Sequence, residues 1–125
     1  MIDNYYFFLI MIFMHIVDDY RMQGILASMK QRDWWKENAP DHMYEHDYIA
    51  ALFMHSFSWT FMVMLPVAAY LGFDIGAKFV VFFLGNLLVH GIVDDAKANQ
   101  KVINLCVDQT IHMAQILVIW IGFFV

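Results

Sequence analysis

Histidine and aspartate recur along this chain in three pairs that share a spacing of four residues, and one further histidine lies in the middle of the chain. The seven residues are His15, Asp19, His55, His90, Asp94, Asp108 and His112. On a helix, residues four apart lie on the same face, so both members of a pair can reach one point in space. Imidazole nitrogens and carboxylate oxygens are ligands for zinc, manganese and iron. The spacing therefore indicates a metal site.

The sequence around these pairs is strongly apolar. Of the 125 residues, 62% are hydrophobic and 15% are charged, whereas soluble domains have roughly 45–50% apolar and about 25% charged residues. This composition predicts an integral membrane protein, in which an ionisable side chain facing lipid costs ~2.5–3.5 kcal/mol. The histidines and aspartates should therefore turn inward, toward one another.

Four apolar segments are long enough to cross a membrane at ~20 residues each. The polar segment between the first two contains Trp34 and Trp35 and is expected to form a loop with a short surface helix. Because the other two links are short, successive helices should be antiparallel neighbours. We predict an all-α fold, a four-helix up-and-down transmembrane bundle that forms a single integral membrane domain over residues 1–125. The predicted helices cover residues 4–28, 48–71, 77–96 and 102–125, and the polar loop covers 29–47.

Basic residues are unevenly divided between the two sides of this predicted bundle. Six lie at or near the long loop and the link between the third and fourth helices, whereas Lys78 alone lies on the side of the termini. By the positive-inside rule, the long loop is cytoplasmic and both termini lie outside. The N-terminal segment has neither a basic region nor a small-residue cleavage site, so we expect the first helix to be retained.

In this orientation the seven histidines and aspartates fall at one depth, just inside the cytoplasmic interface. Their three carboxylates, with Asp18 and Asp95 beside them, face only Arg21 and Lys97 as candidate cations, and such long side chains can extend to the interface instead. One or two divalent ions would offset the charge, and two would use all seven ligands, so we favour a dinuclear site. Zinc is the first expectation, with manganese or iron as alternatives. The competing interpretation is that each pair is only a hydrogen-bonded couple.

A metal at this depth suggests a membrane-embedded, metal-dependent hydrolase. A bound metal lowers the pKa of a water toward ~7 and polarises a carbonyl or phosphoryl oxygen. Asp18 or Asp95 could take the proton, while Lys97, Arg21 or Gln109 could hold the substrate. A site close to the headgroups of the membrane lipids favours an amphiphilic, lipid-like substrate.

Two other functions fit the same residues. The pairs of histidine and aspartate could carry protons or a divalent cation in a transporter or channel subunit. The outward halves of the helices are almost wholly apolar, however, which argues against conduction by a monomer. Alternatively, the chain is a non-catalytic membrane module that its metal holds together. The sequence contains no phosphate-binding glycine loop and no basic patch, so no nucleic-acid partner is expected, while a homo-oligomer stays open. The single Cys106 excludes an intrachain disulfide.

The motifs HIVDDYRMQ, HGIVDDAK and DQTIH, with His55 between the first two, resemble the pattern of a family of small bacterial and phage integral membrane proteins known only as a domain of unknown function. That pattern is roughly H-x-x-x-D-[FY]-x-x-Q, then H, then H-x-x-x-D-x-x-K, then D-Q-x-x-H. The resemblance implies a bacterial inner-membrane location and marks the matching positions as important, but it implies no reaction. In outline the chain is also similar to small membrane proteins described as metal-dependent hydrolases, which is an analogy of fold alone. The matching positions are His15, Asp19, Tyr20, Gln23, His55, His90, Asp94, Lys97, Asp108, Gln109 and His112.

Overall fold

The structure, a computed structural model, describes residues 3–125. Across this range the chain is helical and forms no strand. Two short non-α turns interrupt the helices, a π-helical turn at Asp18–Met22 and a 3-10 turn at His42–Tyr44. The six α-helices are α1 (Asn4–Val17), α2 (Leu26–Met29), α3 (Arg32–Asn38), α4 (Asp47–Tyr70), α5 (Ala77–Ala98) and α6 (Leu105–Phe124).

Three helical segments are long and apolar enough to cross a membrane. They are His42–Tyr70, Ala77–Ala98 and Leu105–Phe124. A helix needs ~20 predominantly apolar residues to span the hydrocarbon core, because every backbone polar group must be satisfied within it. The predicted all-α class is therefore confirmed, and the structure is compatible with a membrane protein.

The first helix is shorter than predicted. Instead of continuing to residue 28, regular α-helix ends at Val17 and gives way to the π-helical turn. Gly24 then adopts a φ of 53°, a left-handed conformation that favours glycine, and the chain turns before α2 begins. A π-helical turn changes the angle between successive side chains. Here it buries both Asp18 and Asp19, which are consecutive in sequence.

The start of α1 packs against the end of α6. The side-chain amide of Asn4 donates to the carbonyl of Phe124 at 2.8 Å, and the indole of Trp120 donates to the carbonyl of Asn4 at 2.8 Å. Phe7 stacks on Phe124 with ring centroids 4.8 Å apart and meets Tyr70, at the end of α4, edge-on. Both ends of the described chain therefore lie at the same end of the molecule.

The interior is divided into an apolar part and a polar part. The apolar part, which we call the outer core, lies toward the chain ends. It consists of Met11, Trp59, Val63, Met64, Val67, Ile116, Ile119 and Phe124. The polar part lies toward the links 29–47 and 99–104 and contains the buried histidines and aspartates. Burial of the outer core stabilises the packing of α1, α4 and α6 by dispersion contacts.

Gly122 provides a test of the close contact between α5 and α6. A Cβ atom added at Gly122 would lie 2.6 Å from the ring of Phe82, whereas one added at Gly85 would meet nothing within 4 Å. We expect Gly122→Ala to lower the free energy of unfolding by about 1–2 kcal/mol, because overpacking forces side chains from their preferred rotamers. Gly85→Ala, the matched control, should leave it unchanged or raise it slightly. Denaturant titration in detergent micelles measures both, and equal stability of the two variants would contradict this packing.

Candidate metal centre

The seven histidines and aspartates singled out in the sequence are all buried, at most 7% exposed. His15 lies on α1 and Asp19 on the π-helical turn, while the remaining five come from the three long helices. Six of the seven belong to groups whose ligand atoms are close enough to hold a metal ion. His15 is the exception, and its contacts are described below.

The six residues form three overlapping groups. Within each group, one ligand atom of every residue lies within 4.8 Å of the others. The groups are Asp19, His55 and His90; His90, Asp94 and His112; and Asp19, Asp108 and His112. The first two each combine two imidazoles with one carboxylate, which is the ligand set of many catalytic zinc sites with an open coordination position. The buried cluster could therefore hold a metal ion.

His112 faces two carboxylate oxygens. Its Nε2 lies 3.4 Å from Oδ1 of Asp94 and 3.4 Å from Oδ1 of Asp108. These three atoms have no hydrogen-bond partner among the described residues. The opposite ring nitrogen, Nδ1, lies 3.0 Å from Oε1 of Gln115, so it carries the proton in the neutral ring and Nε2 presents a lone pair. A buried nitrogen lone pair that faces two carboxylate oxygens requires a cation or a proton beside it.

The spacing of these atoms suits a metal. Direct N–H···O hydrogen bonds are about 2.7–3.2 Å long, which is shorter than the 3.4 Å that separates Nε2 of His112 from each oxygen. Two ligands at ~2.0–2.1 Å from a tetrahedral zinc ion lie ~3.3–3.4 Å apart. The distances around His112 therefore match the separation of two ligands of one ion better than they match a hydrogen bond.

His55 and His90 complete the cluster. Nε2 of His55 lies 3.2 Å from each of three atoms: Oδ1 of Asp19, Oδ2 of Asp94 and Nε2 of His90. The ring of His90 packs against two other rings, with its centroid 4.2 Å from that of Trp59 and 4.2 Å from that of His112. These contacts restrict the orientation of the His90 ring.

Two lysines neutralise part of the buried charge. The ammonium of Lys30, itself 5% exposed, lies 2.7 Å from Oδ2 of Asp94, and that of Lys97 lies 2.8 Å from Oδ2 of Asp108. Each lysine thus binds one oxygen and leaves the other, Oδ1, facing His112. Of the two candidate cations, Lys97 is paired within the cluster, whereas Arg21 is exposed. Lys30 takes its place because the turn after the π-helical segment returns the chain toward the cluster.

The buried carboxylates outnumber the lysines paired with them, and this difference in charge limits what the cluster can bind. Asp18, Asp19, Asp94 and Asp108 are buried carboxylates, and Lys30 and Lys97 are the lysines paired with two of them. With neutral histidines, two negative charges remain without a cation among the described residues. Buried charges are tolerated when they are paired or bound to a metal. One divalent ion would balance this charge.

Of the five residues proposed for catalysis or substrate binding, Arg21 is exposed, and the other four occupy different places. Asp18 is buried, accepts a hydrogen bond from Ser58, and has Oδ2 3.9 Å from Nδ1 of His55. Lys97 is paired with Asp108 as described above. Gln109 lies within the cluster, where its amide nitrogen is 3.0 Å from Oδ2 of Asp19 and 2.9 Å from Oδ2 of Asp108.

Asp95 lies apart from the cluster, at the end of α5. Its two carboxylate oxygens accept hydrogen bonds from the side chains of Asn99 and Gln100. Asn99 also binds the α2–α3 junction, accepting from the backbone N–H of Arg32 and donating to the carbonyl of Lys30. Asp95 therefore helps to hold this junction in place. Its side chain does not take part in the buried His/Asp cluster.

Residues 30–46 cover the polar end of the molecule. We call this segment, which contains α3 and the 3-10 turn, the cap. Asp33 of the cap lies 3.3 Å from the ammonium of Lys101, whose hydrogen bond and charge hold the pKa of this exposed carboxyl below its usual value. The indole of Trp35 donates to the carbonyl of Met29 at 2.6 Å. Together with Asn99, these contacts attach the cap to the ends of α5 and α2.

Sequence reasoning missed three residues of the site. Trp59 was not considered, yet its indole donates to Nδ1 of His15 at 2.7 Å. Lys30 was assigned to a solvated loop, and Ser58 was not considered. The sequence gives only a weak indication of the role of Trp59. This residue lies four residues after His55 and therefore on the same helical face, but aromatic residues are common on the buried faces of helices. Lys30 carried no signal in the sequence.

Fold and site together define a class: an all-helical protein with three helices suited to a membrane and a buried His/Asp cluster that could hold a metal ion. Comparison with protein-family models, with curated proteins and with solved structures found no match for the chain. The function is therefore argued from the geometry of the cluster.

Proposed function

We propose that the protein is a membrane-embedded metalloprotein whose buried His/Asp cluster binds a single divalent metal ion, zinc, at His90, Asp94 and His112. The observation that carries this proposal is that ligand atoms of His90, Asp94 and His112 lie within 4.8 Å of one another, and that Nε2 of His112 and Oδ1 of Asp94, 3.4 Å apart, have no hydrogen-bond partner among residues 3–125. The charge left by Lys30 and Lys97 supports one ion rather than the two that the sequence favoured. Two imidazoles and a carboxylate suit zinc, and they also suit iron or manganese.

The proposed membrane arrangement is a four-helix up-and-down bundle. Residues 4–22 form a continuous helical stretch, which at ~1.5 Å per residue spans ~28 Å, close to the ~30 Å hydrocarbon core. The contacts of Asn4 with Phe124 and of Lys78 with Gly122 at one end, and of Lys97 with Asp108 at the other, support alternating helix directions. Six of the seven basic residues lie in or near the cap and the link 99–104, so we place this end in the cytoplasm and the chain ends outside.

We further propose that the bound metal serves hydrolysis of an amphiphilic, lipid-like substrate near the cytoplasmic interface. Bound zinc supplies an activated water and polarises the oxygen under attack. Asp18, a buried carboxylate on the His55 side of the cluster, is the candidate for accepting a proton. Gln109 holds two carboxylates in place, and Lys97 neutralises one of them. The resemblance to the family of small bacterial and phage membrane proteins supports the importance of these positions and specifies no reaction.

Complete burial of the cluster favours a second candidate, a non-catalytic module in which the metal joins the helices. Every candidate ligand is at most 7% exposed, so a substrate reaches the centre only if the cap or a helix moves. Transport is less well supported, because the outer core fills the interior between the cluster and the chain ends with apolar side chains.

The test uses the full chain, purified in detergent and reconstituted in lipid nanodiscs. We expect about one zinc ion per chain by elemental analysis, in line with the charge left uncompensated in the cluster. We also expect hydrolysis of one class among amphiphilic carboxylic esters, phosphoesters and amides, lost with EDTA and restored by zinc. Zinc binding with higher thermal stability but no turnover would establish the structural module. Protein that binds no divalent metal at all would refute the metal centre.

A further inference from the structure

A series of hydrogen bonds leads from Trp59 to two of the buried aspartates. The indole nitrogen of Trp59 lies 2.7 Å from Nδ1 of His15, and Nε2 of His15 lies 2.9 Å from Oε1 of Gln109. The amide nitrogen of Gln109 lies 3.0 Å from Oδ2 of Asp19 and 2.9 Å from Oδ2 of Asp108. The series joins α4, α1, α6 and the π-helical turn.

The chemistry of these groups allows only one direction of donation. An indole nitrogen donates and cannot accept, so Nδ1 of His15 must accept. The neutral imidazole then carries its proton on Nε2, which donates to the amide oxygen of Gln109. This fixes the amide orientation of Gln109, whose two N–H groups point to Asp19 and Asp108. Each donor and acceptor in the series is matched, and the carboxylate oxygens at its end accept as ionised groups.

We infer that His15 is a positioning residue and not a metal ligand: with Trp59 and Gln109 it holds the carboxylate of Asp19 beside His55 and that of Asp108 beside His112, one of the proposed metal ligands. This inference rests on the proposed metal centre. Both ring nitrogens of His15 are already used, and binding a metal through Nδ1 would break the bond from Trp59. Asp19 and Asp108 belong to different helical elements, and both are hydrogen-bonded by the one amide of Gln109. Residues that orient ligands in this way typically contribute 10–100-fold to metal affinity.

The first test is Trp59→Phe. Phenylalanine keeps an aromatic ring beside His90, whose ring lies 4.2 Å from that of Trp59, but it removes the N–H that fixes His15. We expect the zinc stoichiometry to be unchanged and the Kd for zinc to rise ~10–100-fold. Trp120→Phe is the matched control, since it removes an indole hydrogen bond of 2.8 Å to Asn4 at the other end of the molecule. An unchanged Kd in Trp59→Phe, or an equal rise in both variants, would overturn the inference.

The second test determines the tautomer of His15 directly, first in the metal-free protein and then after zinc is added. Nitrogen-15 NMR of histidine-labelled, metal-free protein in micelles reports the tautomer of each ring, with the signals of His15 assigned from a His15→Gln variant. We expect His15 to be protonated at Nε2, and we expect zinc to shift the ring nitrogens of His112 while leaving those of His15 almost unchanged. A proton on Nδ1 of His15, or a zinc-induced shift at His15 as large as at His112, would overturn the inference. Absence of any zinc-induced shift combined with the Nε2 tautomer would instead refute the metal centre and leave the hydrogen-bond series established.

Discussion

Replacement of Lys30 by methionine is expected to lower the free energy of unfolding by about 3–5 kcal/mol, as is typical when one partner of a buried ion pair is removed. The ammonium of Lys30 lies 2.7 Å from Asp94, and the two side chains are 6% and 0% exposed. Methionine fills nearly the same space, so the loss is electrostatic: Asp94 would lie close to Asp19 and Asp108 without its cation. Denaturant titration in micelles with EDTA measures this loss without a contribution from bound metal.

Two further variants separate the ion pair from general damage. The double variant Lys30→Met with Asp94→Asn should be more stable than Lys30→Met alone, because no unpaired carboxylate remains at that position. Lys101→Met is the control, since its pair with Asp33 is exposed and such pairs contribute little. The single variant Asp94→Asn completes the comparison. If the loss of stability in the double variant equals the sum of the losses in Lys30→Met and Asp94→Asn, Lys30 and Asp94 are not coupled.

Replacement of His112 by alanine is expected to reduce the bound zinc from about one ion per chain to near zero. His112 belongs to two of the three ligand groups, and its Nε2 faces two of the three buried aspartate oxygens that lack a hydrogen-bond partner among the described residues. Without it, the proposed site keeps only His90 and Asp94, too few ligands for stable zinc binding in a protein. Elemental analysis of the purified variant, with circular dichroism to confirm that it is helical, measures the effect.

Two other histidine variants show whether this loss is specific. His46→Ala should retain its zinc, because His46 is exposed in the segment before α4. His55→Ala removes a residue of the group formed with Asp19 and His90 and should retain most of its zinc. Protein that keeps its ion in His112→Ala and loses it in His55→Ala would place the metal in the other group and contradict the proposed position.

Much of the cluster could be predicted from the sequence, because two simple constraints act together. Spacing of four residues places His90 and Asp94, or Asp108 and His112, on one helical face. Ionisable side chains avoid lipid, so these faces turn inward. The structure buries all seven predicted residues. The link lengths and hydropathy likewise indicated α4, α5 and α6, whose ends lie within a few residues of the predicted ones.

The residues that could not be predicted depend on the path of the chain rather than on a repeating pattern. The position of Lys30 depends on the π-helical turn and on the bend at Gly24. No spacing of residues in the sequence predicts the turn or the bend. A lysine in a polar segment normally indicates a solvated surface, and only the fold returns Lys30 to Asp94. The role of Trp59 likewise requires knowing which histidine lies opposite its indole nitrogen. For these residues, contacts between distant parts of the chain outweigh local sequence.

The π-helical turn at Asp18–Met22 has a consequence for how this chain can vary between relatives. A turn of this kind holds one residue more than the α-helical turn it replaces, and here that extra residue lets two successive aspartates share the interior. Amino acids on its exposed side that do not match the family pattern, such as Arg21 and Met22, can be exchanged freely. Its length cannot change in the same way, since losing one residue would rotate His15 away from its partners. In any set of homologous sequences, gaps should accumulate in the cap and be absent between His15 and Gln23.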